Sequence, residues 1–304
     1  MNDISIIIPT FNTCDLTCAC VSSVLRARSS LSVEILVVDN ASDDGTADAV
    51  LALCPDVKVL KQSVNLGYSK AVNIGLKTAT GKLVIALNSD TVLQPDALTT
   101  ITDALANMRN IGVACPRTIN PDGTIQSYGS DLLLFRHYFL QLFGISPYSF
   151  NRDPEISCYV GAPSGACLVF TQAGLAAIPQ LDENLPLYFE EQDIARRITQ
   201  MNLLCYYIST SVIVHRAAQT TRMFRKADLV RKLERSRAHI FAKYFSGLPK
   251  YVLCTSATLS TFMKSVLFLM ISICFLPMKN RRKDTFKVSV AYLTAMRFYW
   301  STHS

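Results

Sequence analysis

The sequence has few charged residues, a single tryptophan and no glycine at every third position. Charged residues make up 17% of the chain and apolar residues 50%, a composition that excludes an intrinsically disordered protein. The absence of a glycine repeat excludes a collagen-like fibre. The 304 residues are enough for one or two globular domains with a large core.

The ten cysteines include no pair separated by two residues, the spacing of zinc-binding and redox motifs. Cys14, Cys18 and Cys20 cluster on a predicted helix without a fourth ligand nearby, so we interpret them as small buried thiols. This cysteine content in a chain of this length indicates a reducing compartment. The first residues carry no positively charged leader before an apolar run, so we expect no export signal. We therefore expect the chain in the cytosol or on the cytosolic face of a membrane.

Acidic residues are nearly missing from the C-terminal part of the chain. Residues 216–304 hold 17 Lys and Arg but only 3 Asp and Glu, whereas residues 1–215 hold 13 and 20. The net charge of +7 thus combines an acidic body of −7 with a basic tail of +14. Such an asymmetry predicts an anionic partner for the tail, either a phospholipid surface or nucleic acid.

Short, continuously apolar segments alternate with helical patterns over the first hundred residues. The predicted strands are Ile4–Ile8, Val33–Val38, Val57–Leu60 and Leu83–Leu87. The predicted helices are Leu16–Arg28, Thr46–Leu53 and Ser69–Thr78. Strands that are apolar on both faces and alternate with helices predict an α/β fold, with a parallel sheet covered on both sides.

Polar segments follow three of these strands, at Pro9–Asn12, Asp39–Thr46 and Asn88–Asp90. Each segment alone is typical of a turn or a helix cap. Ligands of parallel α/β sheets bind at the carboxyl ends of the strands. Three polar segments at one edge of the sheet therefore predict a ligand site there.

The second hundred residues are less regular. A capped helix is predicted at 95–108, and short strands with loops at 112–170. A run of carboxylates leads into another predicted helix, Ile194–Gln200. A last predicted strand, Ser211–Val214, ends beside His215, and no internal repeat is present.

Six motifs in this order resemble the family 2 inverting glycosyltransferases of the GT-A fold, in particular bacterial rhamnosyltransferase-like enzymes of cell-surface polysaccharide synthesis. The resemblance covers roughly residues 4–220. The motifs are Ile8–Asn12, Val37–Asn40 with Ser42–Thr46, Asn65–Tyr68, Leu87–Thr91, Phe189–Asp193 and Val214–His215. The resemblance implies a Rossmann-like mixed, mainly parallel sheet flanked by helices, in a catalytic domain at 1–215 with a basic helical extension at 216–304. Residues 1–100 would form its nucleotide-binding half and residues 101–215 its acceptor-side half.

The same resemblance implies a nucleotide-sugar site at the strand ends. Asp39 would contact the base or ribose, with the alternative that it only caps the following turn. The Asn65–Tyr68 motif would lie in the donor pocket near the sugar. The expected donor-binding residues are Pro9, Thr10, Phe11, Asn12, Asp39, Asn65, Gly67, Asn88, Ser89 and Asp90.

An acidic loop beside a diphosphate needs a cation between them, and oxygen ligands suit Mg²⁺ or Mn²⁺. In the family, the last carboxylate of an Asp-any-Asp motif binds this cation. Here the first position is Asn88, so Asp90 would act nearly alone. By resemblance His215 would be a second ligand, with an ordinary histidine at a strand end as the alternative.

An inverting transfer also needs a base that takes the proton of the acceptor hydroxyl. The family places an aspartate there, at the head of a helix on the acceptor side. Alignment of the motif puts Glu191 at that position, with Glu190 and Asp193 as further candidates and a solvated acidic helix cap as the alternative. Repulsion among these carboxylates raises their pKa values while the helix dipole lowers them, so the sequence does not give the sign of the net shift.

The basic tail contains an apolar segment, 251–278, that Lys264 interrupts. Its cleanest part, Ser265–Met278, has 14 residues, fewer than the roughly 20 that span a bilayer. A lysine at the membrane centre costs about 3 kcal/mol, so spanning is disfavoured. Basic clusters and aromatic residues on either side favour a helix lying on an anionic membrane surface. Packing as protein core is the main alternative, and nothing resembles a nucleic-acid module, so we expect no nucleic-acid partner.

We therefore expect an inverting glycosyltransferase acting on a lipid-linked saccharide, with dTDP-L-rhamnose as the expected donor and UDP-sugars as its rivals. One alternative is transfer of a sugar directly to a polyprenyl phosphate. Another is a non-catalytic homologue that binds a nucleotide-sugar.

Overall fold

The structure is a computed structural model that describes residues 2–145, 154–216, 225–274 and 279–301. These residues group by contacts into two units. The first, unit 1, contains residues 2–132, 154–183 and 190–216, and the second, unit 2, contains the remaining described residues.

Among the described residues, ten strands belong to a single mixed sheet. They are β1 (Ile4–Thr10), β2 (Val33–Asp39), β3 (Lys58–Lys61), β4 (Leu83–Leu87), β5 (Thr91–Leu93), β6 (Ile111–Ile119), β7 (Ile125–Ser127), β8 (Cys158–Val160), β9 (Cys167–Phe170) and β10 (Leu204–His215). The main order across the sheet is β3-β2-β1-β4-β9-β6-β10-β5, with β7 beside β6 and β8 beside β10. Strands β3, β2, β1 and β4 are all parallel, whereas β9 is antiparallel to both of its neighbours.

Ten α-helices are present among the described residues, followed by a short 3-10 turn at Met296–Tyr299. They are α1 (Cys14–Ala27), α2 (Thr46–Leu53), α3 (Tyr68–Thr78), α4 (Ala97–Leu105), α5 (Phe135–Leu142), α6 (Gln172–Ala177), α7 (Glu190–Gln200), α8 (Lys226–Tyr244), α9 (Gly247–Cys274) and α10 (Lys279–Ala295).

The central strand β1 is buried on both faces. Ile4, Ile6 and Ile8 pack into one core cluster, whereas Ile7 packs into another on the opposite face. Helix α3 reaches the Ile7 face because Gly75 has no side chain, since a Cβ there would lie 2.4 Å from Cγ2 of Ile7. The alternation of strand side chains between two helical layers thus follows directly from the apolar run of β1.

Unit 2 contains α5, α8, α9, α10, the 3-10 turn and the segment 184–189. Tyr138 of α5 packs edge-on against Phe241 of α8, with ring centroids 5.6 Å apart. The carboxylate of Glu234 is buried and accepts hydrogen bonds from Arg237 and from the hydroxyl of Tyr299. Since an unpaired buried carboxylate is costly, this network ties α8 to the 3-10 turn.

The expected mixed α/β sheet with flanking helices and a C-terminal helical region is confirmed. The predicted helix at Ile194–Gln200 is too short, because the preceding carboxylates form the first turn of α7. The predicted strand Ser211–Val214 is the end of the longer β10, which is irregular near Ile208. Strand β5 and helix α5 were not predicted from the sequence.

The tail also differs from the prediction in one respect. Among the described residues, one helix, α9, is long and apolar enough to cross a membrane by length and composition. Only 14 residues of the predicted apolar segment, Ser265–Met278, are free of the Lys264 interruption, whereas α9 continues through Lys264 and has 28 residues. Residues 275–278 of the predicted apolar segment lie outside the described residues, as do 217–224 of the basic tail.

Candidate active site at the carboxyl ends of the strands

The carboxyl ends of β1 and β2 meet because the two strands are parallel and in register, with Thr10 opposite Asp39. The N–H of Asn40 donates to the carbonyl oxygen of Thr10, at 2.9 Å. Pro9 and Thr10 are buried within β1, and the hydroxyl of Thr10 lies 2.7 Å from that of Thr17. Both side chains are therefore buried at the end of the strand, whereas the next two residues, Phe11 and Asn12, are half-buried.

The loop after β2 is interlocked with the loop after β1. The N–H of Asn12 donates to Oγ of Ser42, and Oδ1 of Asn12 accepts from the N–H of Asp43, both at 2.9 Å. Oδ1 of Asp39 accepts from the N–H of Ser42, at 3.0 Å. Asp39 is 3% exposed, so its carboxylate is fixed by the loop at the edge of the sheet.

Asp44 caps two helices at once. Its Oδ2 accepts from the N–H of Cys14, which begins α1, and its Oδ1 accepts from the N–H of Thr46, which begins α2. Partial burial opposes ionisation, but the hydrogen bonds from Thr46 and Cys14 outweigh it and lower the pKa of Asp44. Asp44 is therefore a helix-capping residue, which is one of the two roles that the sequence allowed for the polar segment Asp39–Thr46.

The Asn65–Tyr68 motif lies beside this loop through the buried side chain of Asn40. Oδ1 of Asn40 accepts from the N–H of Leu66 at 3.4 Å, and its Nδ2 donates to the carbonyl oxygen of Gly67 at 3.5 Å. Oδ1 of Asn65 accepts from the N–H of Gly67, at 3.0 Å. Gly67 has φ 84° and ψ 176°, a backbone conformation that is essentially restricted to glycine. The glycine is therefore required by the backbone itself.

Asp90 and His215 are brought together by β5, which pairs antiparallel with β10 and places Thr91 opposite His215. Nε2 of His215 lies 3.1 Å from Oδ1 of Asp90, and 3.4 Å from Nδ2 of Asn88. Ser89 is buried, and its hydroxyl lies 3.2 Å from that of Thr13. The Asn88–Asp90 segment is thus fixed at the same edge of the sheet as the end of β1.

The other ring nitrogen of His215 determines which nitrogen carries the proton. Nδ1 lies 2.6 Å from Oε1 of Gln126. Nε2 of Gln126 donates to two oxygens, Oδ1 of Asn120 and the carbonyl oxygen of His215, which assigns Oε1 as the acceptor. Nδ1 of His215 is therefore the donor, and in the neutral ring Nε2 presents a lone pair to Asp90.

A lone pair facing a carboxylate oxygen is repulsive unless a proton or a cation lies between them. A carboxylate oxygen and an imidazole nitrogen are both metal ligands, so this pair fits a divalent cation. Within the described ranges, no three His, Cys, Asp or Glu side chains form a metal-binding group. The pair would supply two ligands and leave the other positions to oxygens from outside the chain.

The acidic first turn of α7 follows two residues with strained backbones, Tyr188 at φ 62° and Phe189 at φ 71°. Left-handed conformations of bulky residues are costly and cluster at functional sites. Glu190 and Glu191 are half-buried, whereas Asp193 is buried and pairs with Arg197 one turn along, with Nη1 and Oδ2 3.6 Å apart. The pairing engages Asp193 within its own helix.

Burial, then repulsion from Glu191 and Asp193, raises the pKa of Glu190 from 4.5 to about 8. Burial also raises the pKa of Glu191. Burial and then the carboxylate of Glu190 raise the pKa of Tyr68 far above its usual range. The Tyr68 hydroxyl is buried and has no hydrogen-bond partner within the described part of the chain. The site thus concentrates one tyrosyl hydroxyl and two carboxyl groups in a poorly solvated place.

The loop before β9 connects these acids to the Asn88–Asp90 segment. The N–H of Asn88 donates to the carbonyl oxygen of Ala166, at 3.0 Å. A Cβ placed on the preceding Gly165 would lie 3.9 Å from Oε2 of Glu191. The carboxylate of Glu191 is therefore one loop away from the Asp90 and His215 pair.

Sequence reasoning missed three residues of this site. Gln126 carries no sequence signal because it lies on the three-residue strand β7. Asn40 directly follows Asp39 and was part of a motif, but its link to the Gly67 loop depends on the fold. Tyr68 was part of a motif too, and only the structure indicates that its hydroxyl is near Glu190.

Comparison with known proteins gives matches over the same region. The pattern of "Glycosyl transferase family 2" matches residues 5–166. The chain is 26% identical over 213 residues to the "N-acetylglucosaminyl-diphospho-decaprenol L-rhamnosyltransferase" of Mycobacterium tuberculosis, which covers 62% of the chain and 68% of that relative. It is 30% identical over 112 residues to the "Dolichol-phosphate mannosyltransferase" of Pyrococcus furiosus, covering 36% of the chain and 32% of that relative.

A solved structure supports the fold. The chain is similar to the mannosyltransferase PcManGT from Pyrobaculum calidifontis in complex with GDP-Man and Mn²⁺, with a TM-score of 0.56 and 18% identity. The similarity covers 97% of this chain and 86% of that one.

Proposed function

This chain belongs to glycosyl transferase family 2, and on that premise we propose that it transfers a sugar, with inversion, from a nucleotide diphosphate donor to a lipid-linked saccharide. The observation that carries the proposal is the pair of Asp90 and His215 at the ends of the strands. In the neutral His215 ring the lone pair of Nε2 faces the carboxylate of Asp90, and a divalent cation bound with the nucleotide diphosphate would stabilise this arrangement.

The donor is proposed to be dTDP-L-rhamnose and the product part of a surface polysaccharide of the O-antigen or capsule type. The name of the mycobacterial relative, an N-acetylglucosaminyl-diphospho-decaprenol L-rhamnosyltransferase, supports rhamnose as the sugar and a lipid-linked saccharide as the acceptor. UDP-sugars are the rival donors, since the residues at the strand ends recognise a nucleotide diphosphate without specifying its sugar.

Donor binding is assigned to the interlocked loops. Asp39 would accept hydrogen bonds from the base or the ribose, because its carboxylate is fixed at the sheet edge by Ser42. Phe11 and Asn12 would line the same pocket, and the Asn65–Gly67 segment would lie beside the sugar. The remaining members of the proposed donor site are Pro9, Thr10, Asn88, Ser89 and Asp90.

Asp90 and His215 would hold the divalent cation. An imidazole ligand favours Mn²⁺ over Mg²⁺, because Mg²⁺ is coordinated almost entirely by oxygen. When bound, the cation neutralises the charge that develops on the leaving diphosphate. Gln126 fixes the tautomer of His215 that leaves Nε2 free to bind metal.

Glu191 is proposed as the base that takes the proton of the acceptor hydroxyl. With a pKa of about 8, Glu190 is mostly protonated at pH 7 and accepts no further proton. Asp193 is engaged by Arg197. Glu191 therefore remains the carboxylate that can accept the proton, and a neutral Glu190 beside it avoids a second negative charge near the donor diphosphate.

A second candidate function is transfer directly to a polyprenyl phosphate. The match to a dolichol-phosphate mannosyltransferase favours it, although the chain covers only about a third of that relative. This activity would need no saccharide primer. A non-catalytic homologue that only binds a nucleotide-sugar is the third possibility, and it predicts no sugar transfer at all.

The basic tail is proposed to hold the enzyme peripherally on the cytoplasmic face of the cell membrane, where a lipid-linked acceptor lies. Its excess of 17 Lys and Arg over 3 Asp and Glu supports an anionic lipid surface as the partner. The proposed division of labour is a catalytic domain at 1–215 and a membrane-associating region at 216–304.

A screen of purified protein against nucleotide-sugars, read by release of the nucleoside diphosphate, tests the proposal. We expect release from one donor, dependent on Mn²⁺ or Mg²⁺ and abolished by EDTA. Asp90→Asn should lower the rate at least about 100-fold, because it removes a metal ligand and a charge. Release that is unaffected by both EDTA and Asp90→Asn would contradict the metal site.

A further inference from the structure

Helix α9 has the opposite amphipathicity to a helix on the surface of a water-soluble protein. Its buried side chains are mostly small or polar, and they include Cys254, Ala257, Ser260, Thr261, Ser265 and Ser272. Its large apolar side chains face outward, and the most exposed of these between 255 and 274 are Leu259, Met263, Leu267, Met270 and Ile273. Only 28% of its most apolar stretch is buried. A soluble protein places these two faces the other way round.

The contact between α9 and α10 combines the stacked rings of Phe268 and Tyr292 with a reciprocal pair of serines. The Ser265 hydroxyl donates to the carbonyl oxygen of Ser289, and the Ser289 hydroxyl to that of Ser265, both at 2.9 Å. Small residues let two helices approach closely, and hydroxyls then bond across the contact. Hydroxyl hydrogen bonds between closely packed helices are typical of helices in contact with lipid.

Lys264 is not part of the outward apolar face. Its Nζ lies 5.9 Å from the ring centroid of Tyr292 on α10, and the side chain is half-buried. The side chain of Lys264, which interrupts the apolar segment in the sequence, therefore points toward the neighbouring helix. The outward face of α9 from Leu259 to Ile273 carries no charge.

The charges of α10 indicate what covers this face. Its first turns present exposed Arg281, Lys283 and Lys287, with Asp284 as the only acid. The exposed Phe286 lies among these cations. Apolar side chains beside an excess of cations over acids match a lipid leaflet with anionic headgroups. A second copy of the chain would bring the same cations against each other.

We propose that the outward face of α9, from Leu259 to Ile273, lies in the apolar layer of an anionic lipid leaflet, with Arg281, Lys283 and Lys287 at the headgroups. This inference deepens the membrane attachment proposed above by naming the surface and the orientation. The other face of the helix packs against α10 and α5, and the proposed orientation places the helix along the membrane. The exposed apolar face of α9 is then the face of this helix that contacts lipid.

The test uses the full chain and two kinds of vesicle, one of phosphatidylcholine alone and one with 30% phosphatidylglycerol. The variant combines Met263→Gln, Leu267→Gln and Met270→Gln, and the matched control combines Leu51→Gln, Leu53→Gln and Met201→Gln. All six side chains are exposed, so neither variant should change the thermal unfolding temperature. We expect the α9 variant to bind the anionic vesicles at least about 100-fold more weakly, and the control to bind them like the wild type.

Three results would overturn the inference. They are equal vesicle binding by the α9 variant and the wild type, equal binding to both kinds of vesicle, and a wild-type dimer that the α9 variant converts to a monomer. Nucleoside diphosphate release is measured in parallel. A wild-type chain that binds vesicles through α9 but transfers no sugar would contradict the proposed function and leave this inference standing.

Discussion

Replacement of Glu190 by glutamine should stabilise the protein, by an amount that grows with pH. The pKa of Glu190 is about 8 in the folded chain and 4.5 as its ordinary value. Because the folded state holds the proton more tightly, stability is highest below pH 4.5 and falls as the pH rises toward 8. The loss amounts to about 1 kcal/mol at pH 5, about 3 at pH 7 and about 5 at pH 8.5, at 1.36 kcal/mol for each unit of pKa shift.

Glutamine has nearly the shape of the protonated glutamate and does not ionise. The difference in free energy of unfolding between Glu190→Gln and the wild type should therefore increase by about 4 kcal/mol from pH 5 to pH 8.5. Urea unfolding of both proteins at pH 5, 7 and 8.5 measures this difference. A difference that does not change with pH would refute the reasoning.

The same substitution separates the roles of the two glutamates. Glu190→Gln should keep sugar transfer at pH 7 within about threefold of the wild type, because it mimics the neutral acid that is already present there. Glu191→Gln should lower the rate about 10²- to 10⁴-fold through loss of the base. Equal losses for both variants would contradict the assignment of Glu191.

Three further substitutions test the framework of the site. Asp44→Ala should lower the free energy of unfolding by about 2 kcal/mol, because it removes the caps of two helices, whereas Asp43→Ala, at an exposed side chain, should change it little; thermal unfolding compares them. Asn73→Ala should lower the free energy of unfolding by about 2 to 4 kcal/mol, measured by urea unfolding, because it leaves the buried N–H and carbonyl of Leu181 without their side-chain hydrogen bonds. Gln126→Leu should weaken Mn²⁺ binding about 10- to 100-fold in a calorimetric titration with nucleoside diphosphate, because it releases the ring of His215; unchanged affinity would contradict the tautomer argument.

Much of the sheet and its ligand edge could be predicted from the sequence. The strands β1, β2 and β4 are apolar runs bounded by polar residues, so their ends mark where Asp39 and Asp90 lie. Their parallel pairing, which follows from the alternation with helices, brings those ends together.

The proximity of Asp90 and His215 could not be predicted from pattern, because it depends on β5. Three residues are too few for a periodic signal, yet the pairing of Thr91 with His215 sets the distance between the two ligands. The family resemblance predicted that Asp90 and His215 act together, and the structure shows that the pairing of β5 with β10 brings them close.

Two other features depend on burial, which a sequence does not contain. The net shift in the pKa of Glu190 follows from its low exposure more than from its neighbours. The exposed apolar face of α9 could not be predicted either, because composition indicates an apolar helix but not which of its sides packs against the protein. In both cases the sequence gives the residue types but not their surroundings in the fold.

The most direct test of the central claim is a transfer assay with defined lipid acceptors, read by mass spectrometry and by the anomeric configuration of the product. The wild-type chain, Mn²⁺ and dTDP-L-rhamnose or a UDP-sugar would be incubated with a polyprenyl diphosphate carrying a saccharide and, separately, with bare polyprenyl phosphate. We expect one sugar added to the saccharide with the opposite anomeric configuration to the donor, and none added to the bare phosphate. Sugar on the bare phosphate, retention of configuration, or no transfer from any donor would contradict the account.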